Sequence, residues 1–170
     1  DAWRAYLARF DGRDDVPALF WTANAWASLV SLSTDDTDAL LDLPFVLALA
    51  ERARALDPDF EGGAVHAFFG AWHASMAPSL GGQPERARES FEAALRVSRR
   101  HLLTWHVLYA RTYAVQVQDR ALYERLLREV IDAGDVMPSQ RLANQVAKRR
   151  AMRYLAEADT LFAPAETPTP

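Results

Sequence analysis

Histidine is the side chain best suited to acid–base or metal chemistry at neutral pH, and this sequence has four. His66 and His73 are seven residues apart, so on a helix they share a face two turns apart. That distance is too long for both to hold one metal ion without other ligands. His101 and His106 are five apart and do not face each other. The spacing therefore favours no metal site, and His66 and His73 are candidates either for the wall of a ligand cleft or for ordinary packing.

Arg111 is the second candidate, because it stands between Ala110 and Thr112 in an otherwise apolar helical segment. A buried guanidinium group needs an anionic partner. One such partner is the carboxylate of a ligand, which arginine can bind through two parallel hydrogen bonds. The other is an acidic side chain of a neighbouring helix. The sequence leaves both alternatives open.

Aromatic residues could form the walls of a cleft for a small apolar ligand. Trp21, Trp26 and Tyr109 are the candidates, although packing in the core is the commoner role for any single aromatic residue. Asn24 lies between the two tryptophans and could bond a ligand or tie helices together. The helix that contains Trp21, Asn24 and Trp26 has too many bulky side chains for a surface helix with only one apolar face. We therefore expect it to be buried on most sides or to line a groove.

Sequence signatures of catalysis are missing from the chain. It has no glycine-rich phosphate loop, no Gly-x-Ser-x-Gly turn, no His-Glu-x-x-His and no cysteine. We therefore predict that the protein is not an enzyme and needs no cofactor or metal. The net charge of −4 argues against a nucleic-acid partner. The chain has no run of about 18 apolar residues, so we predict no membrane-spanning helix.

The segment from Gly62 to Ser98 organises the rest of the chain. Its first helix contains Gly70, and glycine costs about 1 kcal/mol there relative to alanine, so we expect another group to pack against it. In its second helix apolar residues recur at spacings of three and four, which marks one buried face, at Ala87, Phe91, Ala94 and Leu95. A large residue followed by glycine on one helix, with small and aromatic residues on the next, is the pattern of a tetratricopeptide-like hairpin.

The same helical pattern recurs on both sides of this segment, and no stretch shows the alternation of a strand. Helices are predicted at about 2–10, 15–31, 44–56, 101–117, 119–133 and 139–162, with Asp119 as a cap and a basic, solvated side on the last helix. The small position of the repeat falls at Ala25, Gly70 and Ala110, at wider intervals than the usual repeat of about 34 residues. We therefore predict an all-α, tetratricopeptide-like stack of degenerate helical hairpins, forming one domain over residues 1–162 with a disordered tail at 163–170.

Several blocks of the sequence resemble the T-component family of TRAP transporters. They are Phe20–Ser28, Ala55–Phe60, Gly63–Gly70, Pro78–Gly82 continuing into Ala87–Leu95, Leu108–Arg111 and Tyr113–Arg120. The resemblance implies a bacterial lipoprotein facing the periplasm, anchored through an N-terminal cysteine upstream of this chain, and a homo-oligomer, described for the family as a trimer. It also implies association with the solute-binding (P) component of a tripartite ATP-independent periplasmic transporter. A cleft or pore in each subunit would hold a small apolar or carboxylate ligand.

Two rival functions follow. An accessory transport subunit predicts an enclosed apolar cleft with Trp26 and Arg111, or their neighbours, on its wall. A generic tetratricopeptide scaffold, which binds a partner peptide in its concave groove, predicts instead an open groove with a row of exposed Asn, Lys or Arg. A hydrolase whose site forms only on oligomerisation is a third and weaker alternative, and it would require a cluster of titratable groups with perturbed pKa values.

Overall fold

The computed structural model describes residues 2–33, 37–75 and 82–162. These residues form helices and connecting turns with no strand among them, which confirms the all-α fold class. The α-helices are α1 (Ala2–Leu7), α2 (Val16–Leu32), α3 (Thr37–Leu41), α4 (Leu43–Leu56), α5 (Phe60–His73), α6 (Pro84–Val97), α7 (Leu103–Tyr109), α8 (Arg120–Asp132), α9 (Arg141–Ala156) and α10 (Ala158–Leu161). The predicted disordered tail and much of the linker after α5 lie outside the described residues.

The chain divides into two compact units, residues 1–68 and 69–170, and the division falls within α5. The prediction of one domain over residues 1–162 stays a prediction. None of the described helices combines the length and the apolar character needed to cross a membrane.

In the first unit, α2 and α4 pack along each other and bury the apolar face of each helix. Pro17 lies in the first turn of α2, where its missing N–H costs nothing. The carboxylate of Asp15 accepts a hydrogen bond from the Gly12 N–H at 3.2 Å and does not cap α2. Arg52 of α4 donates from Nε to the carbonyl oxygen of Phe10 at 2.7 Å, which ties α4 to the segment that follows α1.

The first turn of α5 is left-handed, and this explains its two adjacent glycines. Glu61, Gly62 and Gly63 have φ angles of 48°, 62° and 91°. An L-residue pays a steric penalty in this region and glycine does not. The right-handed part of α5 therefore begins only after Gly63.

In the second unit, Gly70 of α5 meets the ring of Phe91 of α6. A Cβ atom added to Gly70 would lie 2.8 Å from two carbon atoms of that ring, which confirms that another group packs against this glycine. Phe91 also stacks on Tyr109 of α7, with 4.7 Å between the ring centroids and 18° between the planes. The absence of a side chain at Gly70 therefore leaves the space that the Phe91 ring occupies.

Helices α7, α8 and α9 pack on one another and complete the second unit. The carboxylate of Asp119 accepts a hydrogen bond from the Leu122 N–H at 2.8 Å, so the predicted cap of α8 is confirmed. α7 continues into one π-helical turn at Ala110–Ala114. The last predicted helix is interrupted, because a 3₁₀ turn at Pro138–Gln140 precedes α9 and Glu157 separates α9 from α10.

Candidate functional site

An open groove of about 670 Å³ runs along one face of α2 in the first unit. It is lined by Ala18, Trp21, Thr22, Ala25, Trp26 and Leu29. These positions recur at spacings of three and four, so they lie on a single face of the helix. Trp21 is 52% exposed and Leu29 is 60% exposed. α2 is thus apolar on two sides, one packed on α4 and one that forms this groove.

Trp26 is held in a fixed orientation at the edge of the groove. Its indole N–H donates to Oδ2 of Asp42 at 3.1 Å. Its ring lies nearly parallel to that of Phe45, with centroids 6.5 Å apart and planes 7° apart. Trp26 is therefore an ordered aromatic wall, whereas Trp21 presents half of its surface to solvent.

A second, smaller pocket of about 160 Å³ lies between α7 and α9 in the second unit. It is lined by Thr104, Val107, Leu108 and Arg111 on one side and by Val146, Ala147, Arg150 and Tyr154 on the other. Contacts at both ends hold the two helices side by side in the same direction. At the start, Oδ1 of Asn144 accepts from the Leu103 N–H at 3.0 Å and Nδ2 donates to the His101 carbonyl at 2.9 Å. At the end, the guanidinium carbon of Arg111 lies 4.4 Å from the centroid of the Tyr154 ring.

The guanidinium group of Arg111 has no acidic partner among the residues that the structure describes. Its Nη1 is buried and without a hydrogen-bond partner in this part of the chain. Burial raises the pKa of the Tyr123 hydroxyl, and the positive charge of the nearby Arg111 partly offsets that rise. The second arginine of the pocket, Arg150, is exposed and likewise has no ion pair with any described residue. Two uncompensated positive charges therefore border a mostly apolar pocket.

Four of the sequence candidates line neither the groove nor the pocket: Asn24, His66, His73 and Tyr109. Tyr109 is fully buried, and burial raises the pKa of its hydroxyl. His73 is partly buried and stacks on Phe69 at 6.1 Å between ring centroids. The structure thus brings Trp21 and Trp26 together in the first unit and places Arg111 in a pocket of the second. A role of any of them in ligand binding stays a prediction.

A polar cluster around the buried His106 of the second unit was missed at the level of sequence. Nε2 of His106, which is fully buried, lies 3.1 Å from Oε1 of Glu129. Both oxygens of Glu129 accept hydrogen bonds from Arg100, at 2.5 and 2.6 Å. The hydrogen bond from Arg100 lowers the pKa of Glu129, and burial lowers the pKa of His106 although Glu129 opposes this. The cluster lines neither the groove nor the pocket, so we assign it to packing of α7 against α8.

Asn144 and Tyr154 were also not identified from the sequence as part of the α7–α9 site, although the sequence contains a weak signal for both. Asn144, Ala147, Ala151 and Tyr154 follow one another at spacings of three and four, so they share the buried stripe of α9. A polar residue on such a stripe is expected to have a specific partner. The partner itself could not be named, because it depends on which helix end lies opposite.

Comparison with known proteins places the chain among transport components. A family model described as "TRAP transporter T-component" matches residues 1–162. A protein of Treponema pallidum (strain Nichols), described as an uncharacterized protein, is 27% identical over 152 residues. That alignment covers 88% of this chain but 47% of the relative, so the chain spans about half the length of the curated relative it matches.

Proposed function

The chain belongs to the TRAP transporter T-component family, and from this membership we propose that it is a non-enzymatic accessory subunit of a tripartite ATP-independent periplasmic transporter. It acts in the periplasm by binding the solute-binding component of that transporter and a small ligand. The observation that carries this proposal is the match over residues 1–162, which includes the α2 groove and the α7–α9 pocket.

The groove along α2 supports a ligand with an apolar body. Its volume is about 670 Å³, but it is open to solvent, so a ligand there would lie against the face of α2 and not inside a closed cavity. Two tryptophans and Leu29 supply apolar surface, and Thr22 supplies a hydroxyl. The groove is open, as the peptide-scaffold alternative predicts, but no charged residue lines it, whereas that alternative also predicts a row of exposed Asn, Lys or Arg. The chemistry of this lining therefore favours a small apolar ligand over a peptide.

Sedimentation velocity of this protein mixed with the solute-binding component from the same organism tests the partnership. We expect a faster-sedimenting complex of both proteins at micromolar concentration. A solute-binding protein from another class of transporter is the control, and we expect it to sediment independently. A pull-down from a periplasmic extract, read by mass spectrometry, would recover the same partner.

Two outcomes would contradict the proposal. If both proteins are folded and still sediment independently at high concentration, the accessory role is wrong. If the protein instead binds unstructured peptides without regard to the folded component, the scaffold function replaces it.

The assembly state is a separate part of the proposal. We propose a homo-oligomer, a trimer as in the family, held at the membrane by a lipid on an upstream cysteine. Sedimentation of the protein alone is expected to give three times the mass of 19.0 kDa. A monomer at all concentrations would contradict the trimer and leave the partnership untouched.

A further inference from the structure

The pocket between α7 and α9 differs in chemistry from the α2 groove, because arginines border it. We propose that this pocket binds a small monocarboxylate, with its carboxylate between Arg111 and Arg150 and its short apolar body between the two helices. The inference rests on the proposed function only for the expectation of a small ligand. It chooses the carboxylate over the apolar alternative and adds the place and the residues that recognise it.

The arginines of the second unit differ in whether they have acidic partners. Some arginines there have acidic partners, such as Arg100 with Glu129, Arg120 with Glu124 and Asp159, and Arg141 with Asp135, whereas several exposed ones, such as Arg149, have none among the described residues. Arg111 and Arg150 have none among the residues 82–162 or elsewhere in the described chain. The Nη1 atom of Arg111 is also buried without a hydrogen-bond partner there. A buried donor without an acceptor is costly, and an anion in the pocket would supply the acceptor.

The geometry of the two helices keeps the pocket open. The hydrogen bonds of Asn144 fix the start of α7 against α9, and the contact between Arg111 and Tyr154 fixes the other end. Between these ends the facing residues include Val107 and Ala147, which are too short to fill the space. Neither helix can close on the other without breaking one of the end contacts.

The π-helical turn at Ala110–Ala114 is an independent observation on the same residue, since Arg111 lies within it. A π turn inserts one residue into a helix and is found frequently at functional sites. The hydroxyl of Thr112 donates to the carbonyl oxygen of Leu108 at 2.7 Å, which satisfies a backbone group within the distorted turn. The insertion changes the direction in which Arg111 leaves the helix, and the backbone there is stabilised in that form.

The size and lining of the pocket select the ligand. A volume of about 160 Å³ equals roughly five water molecules at about 30 Å³ each, so only a body of a few carbons fits. The two oxygens of a carboxylate match the fork of a guanidinium group. Phosphate would turn its remaining oxygens toward Val107, Leu108 and Val146, which offer no hydrogen bonds. The pocket therefore favours a monocarboxylate over an inorganic anion.

Isothermal titration calorimetry with butyrate tests the inference on the purified protein. Butyramide, which has the same shape without the charge, and inorganic phosphate are the comparison ligands. We expect butyrate to bind, butyramide to bind at least tenfold more weakly, and phosphate to give no saturable heat. Arg150→Gln is expected to weaken butyrate binding about tenfold, because a hydrogen bond to a charged group is lost.

Arg149→Gln is the matched control, since it removes the same charge from an exposed neighbour that does not line the pocket. We expect it to leave butyrate binding unchanged. Arg111→Lys keeps the charge but loses the planar fork of the guanidinium group, and we expect it to weaken butyrate binding about tenfold as well. Urea unfolding of this variant, measured alongside, checks that the protein is still folded. Equal binding of butyrate by Arg150→Gln, Arg149→Gln and the unchanged protein would overturn the proposal. So would equal binding of butyrate and butyramide.

The outcomes separate this inference from the proposed function. If the solute-binding component forms a complex and butyrate does not bind, only the carboxylate pocket is rejected. If butyrate binds through Arg150 and no complex forms, the pocket stands and the accessory role is rejected.

Discussion

At the scale of single residues, Gly70 offers the clearest test of packing. Alanine would gain about 1 kcal/mol of helix propensity at this position. Its Cβ would however lie 2.8 Å from the Phe91 ring, and overpacking of a core costs about 1–3 kcal/mol. We therefore expect Gly70→Ala to lower the free energy of unfolding by up to about 2 kcal/mol, measured by urea denaturation.

Gly134→Ala is the control for this substitution, because an added Cβ there meets no atom within 4 Å. We expect it to change stability by less than about 0.5 kcal/mol. In a Phe91→Leu background the cost of Gly70→Ala should shrink, because the ring that it meets is gone. An unchanged cost in that background would contradict the packing explanation.

His106 provides a prediction on pH. Burial lowers the pKa of His106 in the folded protein, so the unfolded chain binds a proton at a higher pH than the folded one. Stability from this histidine is therefore complete above its unfolded pKa of about 6.5 and is lost as the pH falls toward the folded value. We expect the free energy of unfolding to fall between about pH 7 and 5, by no more than about 1.4 kcal/mol per pH unit from this group.

His106→Gln should remove that part of the slope, and His101→Gln, at an exposed position, should retain it. Glu129 adds a second and more acidic decline, because Arg100 lowers its folded pKa and its contribution is lost below about pH 4.5. Parallel stability profiles for the two histidine variants between pH 7 and 5 would show that His106 is not the group responsible.

The residue-scale predictions from sequence succeeded where the cause was local. Gly70 was predicted to meet a neighbour because glycine is costly in any helix, and Asp119 was predicted as a cap because its carboxylate acts on its own helix. The surroundings of Arg111 could not be predicted in the same way. Its contact with Tyr154 depends on which residue of another helix lies opposite, 43 positions later in the chain.

At the scale of elements, Asn144 joins α7 to α9 and can be tested directly. Asn144→Ala removes the acceptor for the Leu103 N–H and the donor to the His101 carbonyl. A buried group that loses its partner costs about 1–3 kcal/mol, so we expect a loss of stability in this range. Hydrogen exchange of the Leu103 amide should also accelerate. Gln145→Ala, at the exposed neighbouring position, should change neither quantity appreciably, and an equal effect of both variants would contradict the role of Asn144.

Helix bounds were predictable where proline, glycine or a capping residue marks them. α4 ends at Leu56 before Asp57-Pro58, at its predicted position, and α6 begins at Pro84. The break at Glu157 and the π turn at Ala110–Ala114 contain neither proline nor glycine, so nothing in the local sequence predicted them. Both were predicted as regular helix because their sequences are compatible with it, and packing on neighbouring helices decides the outcome.

At the scale of the whole molecule, the two units present different surfaces. Of the ten large apolar residues that are exposed in the described chain, seven lie in the first unit. They are Tyr6, Trp21, Leu29, Leu32, Leu40, Leu41 and Phe45. Two of them, Trp21 and Leu29, lie together in the α2 groove, and exposed apolar residues that cluster mark binding surfaces more often than scattered ones do. The first unit is therefore suited to apolar contacts, whereas the second offers the arginine pocket.

Trp21 allows the apolar surface to be tested with Nile red, a neutral dye whose fluorescence rises in apolar surroundings. Trp21→Ala removes a large part of the α2 groove, and we expect the dye to bind about tenfold more weakly, since a lost apolar contact of this size is worth about 1.5 kcal/mol. Stability should change by less than about 1 kcal/mol, because Trp21 is 52% exposed. Leu142→Ala is the control, as Leu142 is 80% exposed on α9 and lines no groove. Equal weakening by both variants would mean that the dye reports general apolar exposure and not a site on α2.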